Sequence, residues 1–254
     1  MNADWLITPA FFEVPEPGLA AIAPEGATTN PHLPPDRSAE GLRPTYDTIR
    51  SFVTQTAQTG RVPVSLAGDC CAAMPVLAGL QAAEITPHLI WIDAHGDFNT
   101  PETSPSQFLG GMPLAMLTGR GPQDWCRIAK VAPIADAQVA LVDGRDLDPG
   151  EADLLEASGV SQIALRELAG LTVSGPVHLH VDVDVVSADT LPVFNYPAPG
   201  GPEPEELIHA LAQAVKVFDV CAVSISGWNG ALDADGRAAR AFGEALAPWG
   251  ARVP

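Results

Sequence analysis

Acidic residues follow two apolar runs in this chain. The segment "WIDAHGDFNT" places Asp93, His95 and Asp97 after the first run, and "HVDVDV" contains Asp182 and Asp184. Burying a carboxylate is costly unless hydrogen bonds or a cation compensate for its charge. Residues i and i+2 of a strand share a face, so Asp182 and Asp184 are expected to point the same way, as are Asp93 and His95.

A third segment, "AGDCC", adds Asp69, Cys70 and Cys71 to these candidates. Several carboxylates that converged with them at one sheet edge would repel each other strongly without a cation. The donors contain more oxygen than a structural zinc site uses. Two ions that share bridging carboxylates fit the number of donors better than one ion. We therefore predict a binuclear metal centre.

The elements that must position these residues alternate between strand and helix. Strands are predicted near residues 5–7, 62–68, 89–94, 139–144, 177–185 and 221–226, and helices near 45–59, 72–83, 149–157, 204–217 and 236–246. This alternation predicts an α/β fold with one parallel sheet and helices on both faces, in a single domain over residues 1–254. Sites in such sheets form at the carboxyl ends of the strands. Residues 13–37, rich in Pro, Gly and Ala, are predicted to form an irregular surface loop in a position to cover a site.

Composition restricts the partners. The chain has 254 residues, 46% of them apolar, and a net charge of −18 with only 13 Lys and Arg. Phosphate backbones need cationic side chains, so nucleic acids and anionic membranes are poor partners. The sequence predicts no secretory signal, membrane-spanning run or disulfide framework. We therefore expect a cytoplasmic protein. Its high negative charge opposes self-association, so we expect a monomer.

Five segments together resemble the motifs of the ureohydrolase (arginase–agmatinase) superfamily. They are "GDCC", "DAHGDFNTPETSPSQFLGGMP", "DGRDLDPGE", "HLHVDVDVV" and "PAPGG", and they occur in the family's order. The resemblance implies a three-layer α/β/α fold with a mostly parallel sheet. It also implies hydrolysis of C–N bonds in linear amidines and two Mn²⁺ ions per chain.

The resemblance also implies a set of metal ligands. One ion would be held by Cys70, Asp93, Asp97 and Asp182, and the other by Asp93, His95, Asp182 and Asp184. Asp93 and Asp182 would then bridge the two ions. Asp97 would in addition act as the catalytic proton carrier.

Four further residues match positions that hold the amino-acid end of the substrate in arginases: Asn99, Ser106, Asp148 and Glu151. This implies a small-molecule amino-acid substrate. The alternative is that these residues cap turns and helices, because Asn, Ser and Asp favour such positions in any protein.

Four positions depart from the family pattern. Cys70 replaces a ligand His, and a thiolate is softer than imidazole, so the identity of the metal stays open. Gly110 replaces a proton-shuttle His, Gly227 replaces the Glu that grips the guanidinium, and Phe108 replaces an Asn. His180 is the residue we would test as a substitute proton carrier, although a hydrogen-bonded pair of core histidines with His178 is the simpler interpretation.

The missing Glu and His indicate a substrate that is less basic than a guanidinium. An N-hydroxyguanidine binds neutral and needs neither group. The pattern resembles the branch of the family that cleaves Nω-hydroxy-L-arginine to hydroxyurea and L-ornithine for D-cycloserine biosynthesis. The alternatives are an arginase, another guanidino-acid ureohydrolase, or a catalytically silent homologue that binds a guanidino ligand or a protein. If the charge argument holds, Gly110→His with Gly227→Glu should raise activity on arginine relative to hydroxyarginine.

Overall fold

The computed structural model describes residues 2–254 of the chain. The strands are β1 (Ala3–Thr8), β2 (Ala10–Phe11), β3 (Val14–Pro15), β4 (Thr28–Thr29), β5 (Val62–Ala67), β6 (His88–His95), β7 (Val139–Asp146), β8 (Ser161–Ile163), β9 (Pro176–Asp182) and β10 (Asp219–Ser226). The helices are α1 (Ala39–Gln58), α2 (Ala73–Ala82), α3 (Pro113–Leu117), α4 (Asp124–Ala129), α5 (Pro149–Glu156), α6 (Pro204–Val217) and α7 (Arg237–Leu246).

Eight strands form one parallel sheet in the order β4-β1-β5-β10-β9-β6-β7-β8. The last long strand of the chain, β10, lies between β5 and β9 at the centre. Strands β2 and β3 pair separately as a short antiparallel hairpin. The predicted α/β fold with a mostly parallel sheet is confirmed.

Helices cover both faces of this sheet. Along β6, Leu89 and Trp91 pack with residues of α1 to α4, whereas Ile90 and Ile92 belong to the core that contains α6 and α7. Successive side chains of a strand point to opposite faces, so the alternation places the two groups of helices on opposite sides. The three layers follow from this arrangement. Within residues 2–254, none of the helices combines the length and apolar character needed to cross a bilayer.

Helix α1 starts six residues earlier than the sequence indicated. It begins at Ala39 rather than Thr45, with the Ser38 side chain accepting a hydrogen bond from the Gly41 amide at 3.0 Å. Pro44 lies inside the helix, where it removes one backbone hydrogen bond. Burial of one face of the helix offsets that loss, and the residues on this face include Leu42, Tyr46, Ile49 and Val53.

The prediction of an irregular surface loop over residues 13–37 is partly wrong. The segment contains β3, a 3₁₀ helix (Pro17–Ile22) and β4, which pairs with β1 at the sheet edge. Leu19 and Ile22 are fully buried against the core on the α6–α7 side. These buried contacts fix the segment as part of the fold.

Candidate metal centre and substrate cavity

Side chains from neighbouring central strands meet at one cavity of about 260 Å³. Cys70 lies in a 3₁₀ turn after β5, Asp93 and His95 end β6, and Asp182 ends β9. Asp97 and Asp184 line the same cavity, so the structure brings all six candidate ligands together. The carboxyl ends of parallel strands share one edge of the sheet, which is why residues far apart in sequence converge here.

Two carboxylates at the centre of this cluster are held by the backbone. Asp93 Oδ1 accepts a hydrogen bond from the His95 amide at 2.7 Å, and Asp182 Oδ1 accepts one from the Asp184 amide at 2.9 Å. Strand β9 ends at Asp182, and the next three residues form a 3₁₀ turn. The predicted strand over 177–185 is therefore too long, and Asp184 reaches the site through a turn rather than by strand alternation.

Cys70 lies against the second of these carboxylates. Its Sγ is 2.8 Å from Asp182 Oδ2, 3.2 Å from Ser226 Oγ and 4.0 Å from Asp93 Oδ2. Burial, followed by the nearby carboxylates, raises the pKa of the Cys70 thiol well above its usual value. Without a cation the sulfur therefore keeps its proton at neutral pH, and a nearby cation would favour the thiolate.

His95 and Asp97 occupy the other part of the cluster. Burial lowers the pKa of His95, but hydrogen bonds to Asp184 and Asp93, at 3.2 and 3.4 Å from Nδ1, outweigh it and raise the value to about 12. Asp97 has a left-handed backbone with φ of 48°, and its carbonyl accepts hydrogen bonds from the Leu114 and Ala115 amides at the start of α3. These backbone contacts hold Asp97 in the turn after β6.

Within the described residues, His95 compensates only part of the negative charge of the cluster. Asp97 Oδ2 and Asp184 Oδ1 are buried and have no hydrogen-bond partner there. Burial and the neighbouring carboxylates raise the pKa of both carboxyls well above the usual range. A cation would relieve both effects, and these donors fit such a group.

The donor atoms form two groups that could each hold an ion. Ligand atoms of Asp93, His95 and Asp184 lie within 4.8 Å of one another, as do those of Cys70, Asp93 and His180. Asp93 belongs to both groups, which is the arrangement expected for a carboxylate shared by two ions. The geometry fits a pair of divalent cations, although the second group contains His180 where the sequence predicted Asp97 and Asp182. Both ring nitrogens of His180 already contact serine hydroxyls, so Asp97 and Asp182 stay the predicted ligands on that side.

The four residues implied for the amino-acid end also line this cavity. Asn99 Nδ2 donates to Asp148 Oδ2 at 3.0 Å, and Ser106 Oγ accepts from the Phe108 amide at 3.2 Å. Glu151 accepts from the Phe98 amide at 2.8 Å and from the Asp148 amide, at the start of α5, at 3.1 Å. Burial raises the pKa of Glu151 to about 7. The capping role considered as an alternative is therefore present, together with exposure to the cavity.

The comparisons with known proteins agree with this geometry. A family model described as "Arginase family" matches residues 29–247, most of the chain. The chain belongs to the arginase family.

Individual relatives of the chain come from this family. The arginase of Bacillus caldovelox is 32% identical over 180 residues, which cover 65% of this chain and 60% of that protein. The N(omega)-hydroxy-L-arginine amidinohydrolase of Streptomyces lavendulae is 29% identical over 212 residues, covering 81% of this chain and 75% of that protein. The native structure of the B. caldovelox arginase at pH 5.6 superposes with a TM-score of 0.85 over 99% of both chains, at 22% identity.

Two glycines stand where arginase-family motifs have side chains, and the structure shows what surrounds them. Gly227 has a left-handed φ of 87°, and a Cβ built on it would overlap Asp182 Oδ1. A Cβ on Gly110 would overlap the ring of Phe108. Gly227→Glu would therefore displace a candidate ligand, and the gain in activity on arginine expected of the double variant stays a prediction.

An aromatic wall formed by Phe11, Phe108 and Tyr196 borders the cavity. The ring centroids of Phe108 and Tyr196 are 4.8 Å apart, and those of Phe11 and Phe108 are 6.3 Å apart. The Arg37 guanidinium lies over the Phe108 ring, 5.8 Å from its centroid, and forms an ion pair with Glu13. Residues 13–37 were expected to cover the site, but none of those described lines the cavity. Arg37 contacts the aromatic wall only at the ring of Phe108.

Sequence reasoning singled out Phe108 of this wall but not its other two rings, and it predicted the core histidines of a layer beneath the carboxylates but not their partners. Trp91 Nε1 donates to Asp93 Oδ2 at 3.0 Å, and its ring stacks on His180 at a centroid distance of 3.7 Å. His178 and His180 form the expected hydrogen-bonded core pair, each with a ring nitrogen 2.8 Å from Ser224 Oγ. Burial lowers the pKa of both imidazoles to about 3. The stretch "HLH" was the one local signal for this layer.

Proposed function

We propose that the chain hydrolyses Nω-hydroxy-L-arginine to hydroxyurea and L-ornithine. The observation that carries the proposal is that a Cβ built on Gly227 would overlap Asp182 Oδ1, so the position leaves no room for the Glu that the family resemblance implies there as the guanidinium partner. A cationic guanidinium would lose its charged partner at this position, whereas a neutral hydroxyguanidine has no need of one. The similarity to the S. lavendulae amidinohydrolase supports the same substrate.

Two Mn²⁺ ions are the proposed cofactor. Cys70, Asp93, Asp97 and Asp182 would hold one ion, and Asp93, His95, Asp182 and Asp184 the other. Such a pair supplies Lewis acidity, which lowers the pKa of water and polarises the carbon under attack. The unpartnered oxygens of Asp97 and Asp184 and the raised pKa values support a cation at this place.

Four residues of the cavity lining are proposed to bind the amino-acid part of the substrate: Asn99, Ser106, Asp148 and Glu151. Asn99 and Ser106 carry the amide and hydroxyl groups suited to a carboxylate. Asp148 and Glu151 supply negative charge for an α-ammonium group, directly or through water. The hydroxyguanidine carbon would then lie beside the metal ligands that line the same cavity.

Asp97 is proposed to carry the proton. Water adds its oxygen to the central carbon of the hydroxyguanidine, and the bond from that carbon to Nδ breaks. Asp97 takes one proton from the attacking water and delivers it to Nδ, which leaves as the amine of ornithine. The second proton of the water moves to the hydroxyimino nitrogen, and hydroxyurea results.

The deciding assay offers arginine and Nω-hydroxyarginine side by side to the Mn²⁺-loaded protein and measures ornithine. We expect release from hydroxyarginine at a higher kcat/KM than from arginine. Asp97→Asn, which keeps the shape of the side chain, should lose turnover while still folding. Equal or faster release from arginine would refute the proposed substrate.

An arginase is the second candidate, because the B. caldovelox arginase is 32% identical to the matched part of the chain. Faster ornithine release from arginine would establish it. Release from neither substrate would point to another guanidino acid or to a silent homologue.

We further propose that the enzyme is a cytoplasmic monomer whose hydroxyurea product feeds D-cycloserine biosynthesis. The net charge of −18 supports the monomer, because like charges oppose close self-association. Light scattering during gel filtration checks this, and a mass near three or six chains at micromolar concentration would contradict it.

A further inference from the structure

A column of hydrogen-bonded side chains runs through the core and ends on the metal centre. It begins at His178 and passes through Ser224, His180 and Ser226 to Asp182, along β9 and β10. Each contact is between 2.8 and 3.3 Å, and all five residues are buried.

The direction of the column follows from its last member. An ionised carboxylate only accepts hydrogen bonds, so Ser226 Oγ must donate to Asp182 Oδ2. The one hydroxyl proton of Ser226 is then used, and His180 Nε2 must donate to Ser226. In a neutral imidazole the other nitrogen accepts, so Ser224 donates to His180 Nδ1.

The same logic completes the column at its far end. Because Ser224 donates its hydroxyl proton to His180, it accepts a hydrogen bond from His178 Nε2. His178 Nδ1 is left as an acceptor, and it is a buried atom without a hydrogen-bond partner within residues 2–254. Every donor in the column thus points towards Asp182.

The two central carboxylates are supported in parallel ways. Each accepts a backbone amide from two residues ahead on Oδ1 and a side-chain donor from beneath on Oδ2. For Asp93 this donor is Trp91, and for Asp182 it is Ser226. Ser226 also touches Cys70 Sγ at 3.2 Å, so it contacts two candidate ligands of one ion.

We propose that Ser226, oriented by His180 and Ser224, is a positioning residue that fixes the Asp182 carboxylate beside the Cys70 sulfur for the ion they share. The ring of His180 is held in turn by its stack on Trp91, so both central carboxylates rest on one rigid layer. The proposal rests on the metal centre of the proposed function and does not depend on the substrate.

The test is a titration of metal-free protein with Co²⁺, followed by the thiolate-to-cobalt absorption band. Ser226→Ala should weaken binding of the Cys70-side ion by roughly 10- to 100-fold, the usual cost of removing a ligand's supporting partner. Its charge-transfer band should shift or fade, and Ser226→Thr, which keeps the hydroxyl, should restore both. Ser224→Ala should have the same effect to a smaller degree, and it serves as the second variant if Ser226→Ala fails to fold.

Ser65→Ala is the matched control. Ser65 is a buried serine of the adjacent strand β5, aligned with Ser224, and its Oγ has no partner among the described residues. This variant should bind Co²⁺ as the wild type does.

Three results would overturn the proposal. Folded Ser226→Ala with wild-type affinity and spectrum would refute the positioning role alone. A loss of one ion in His180→Phe with no change in Ser226→Ala would make His180 a direct ligand instead. A wild-type protein that binds no Co²⁺ would refute the metal centre itself, whereas failure of the substrate assay with normal Co²⁺ binding would leave this proposal intact.

Discussion

The metal end and the mouth of the cavity are built in different ways. At the metal end, Asp93 and Asp182 are almost fully buried and held by backbone amides at the ends of neighbouring strands. At the mouth, Tyr196 is 49% exposed and contacts Phe108 of a loop and Phe11 of the short strand β2. The rigid end suits chemistry, which tolerates little displacement, whereas the loop-built end suits the selection of a substrate.

The largest effect is expected from Gly227→Ala at the metal end. The new methyl group would overlap Asp182 Oδ1, and a left-handed φ of 87° adds backbone strain. Metal affinity and turnover should both fall by more than about 100-fold, the upper range for losing a ligand's support. Metal analysis and the ornithine assay measure this.

Gly175→Ala is the matched control for that variant. Gly175 has a similar φ of 92°, and a Cβ there would meet nothing within 4 Å. It should lose some stability and keep its metals. Equal metal loss in both variants would mean that backbone strain, and not contact with Asp182, explains the effect.

Removing the metals should make the stability of the folded chain depend on pH through the groups at the metal end. The pKa of His95 is raised from 6.5 to about 12, so the folded chain binds more protons than the unfolded chain above about pH 7. Raised pKa values of Asp97 and Asp184 act in the same direction. Stability in a chelator should therefore fall as the pH rises from about 7 to about 9. His178 and His180, lowered to about 3, act only below 6.5 and do not oppose this trend.

Thermal melting at several pH values with a chelator, and again with Mn²⁺, measures that slope. The metal should flatten or reverse it, because bound ions favour deprotonated ligands. A melting temperature that rises with pH in the chelator would show that the cluster is compensated by something other than a cation.

A double change at the mouth should alter selectivity with a smaller effect on the metals. Gly110→His alone would collide with the Phe108 ring, whereas Phe108→Asn removes that ring and gives the imidazole room. We expect the double variant to raise kcat/KM for arginine relative to hydroxyarginine, because a His near the metals can deliver a proton. Phe108→Asn alone is the control, and an unchanged ratio in the double variant would leave the shuttle His without a role in selectivity.

The smallest effect is expected from Tyr196→Ala. The variant removes one ring of the cavity wall together with its contacts to Phe108 and Phe11. We expect roughly a 2- to 12-fold rise in KM with kcat unchanged, which corresponds to about 0.5 to 1.5 kcal/mol. A drop in kcat with normal KM would mean that the aromatic wall takes part in the chemical step. The two ends of the cavity would then not have separate roles.

The residues of the metal end could be predicted from the sequence more completely than those of the mouth, because they follow recognisable strands. Asp93, His95 and Asp182 follow apolar strands, and strand ends in a parallel sheet must meet. The turn that carries Asp184 was missed because alternation continues in the letters "HVDVDV" while the backbone changes to 3₁₀.

The remaining features depend on contacts between distant segments. Phe11 and Tyr196 are 185 residues apart in the sequence and contact each other only in the folded chain. Ser226 looks like any serine of a buried strand, and its importance depends on the register that sets it beside Asp182. Helix α1 was predicted too short because Pro44 is a local signal against helix, whereas the burial that overrides it is tertiary.

The place of β10 in the sheet has a consequence for synthesis of the protein. Strands β5 and β9 do not pair with each other, and β10, the last strand to be translated, fills the position between them. Until residue 226 has left the ribosome, the sheet has two unpaired inner edges, and such edges invite aggregation. The nascent chain therefore completes its sheet only after translation of β10, and a chain that stalls earlier is a natural client for chaperones.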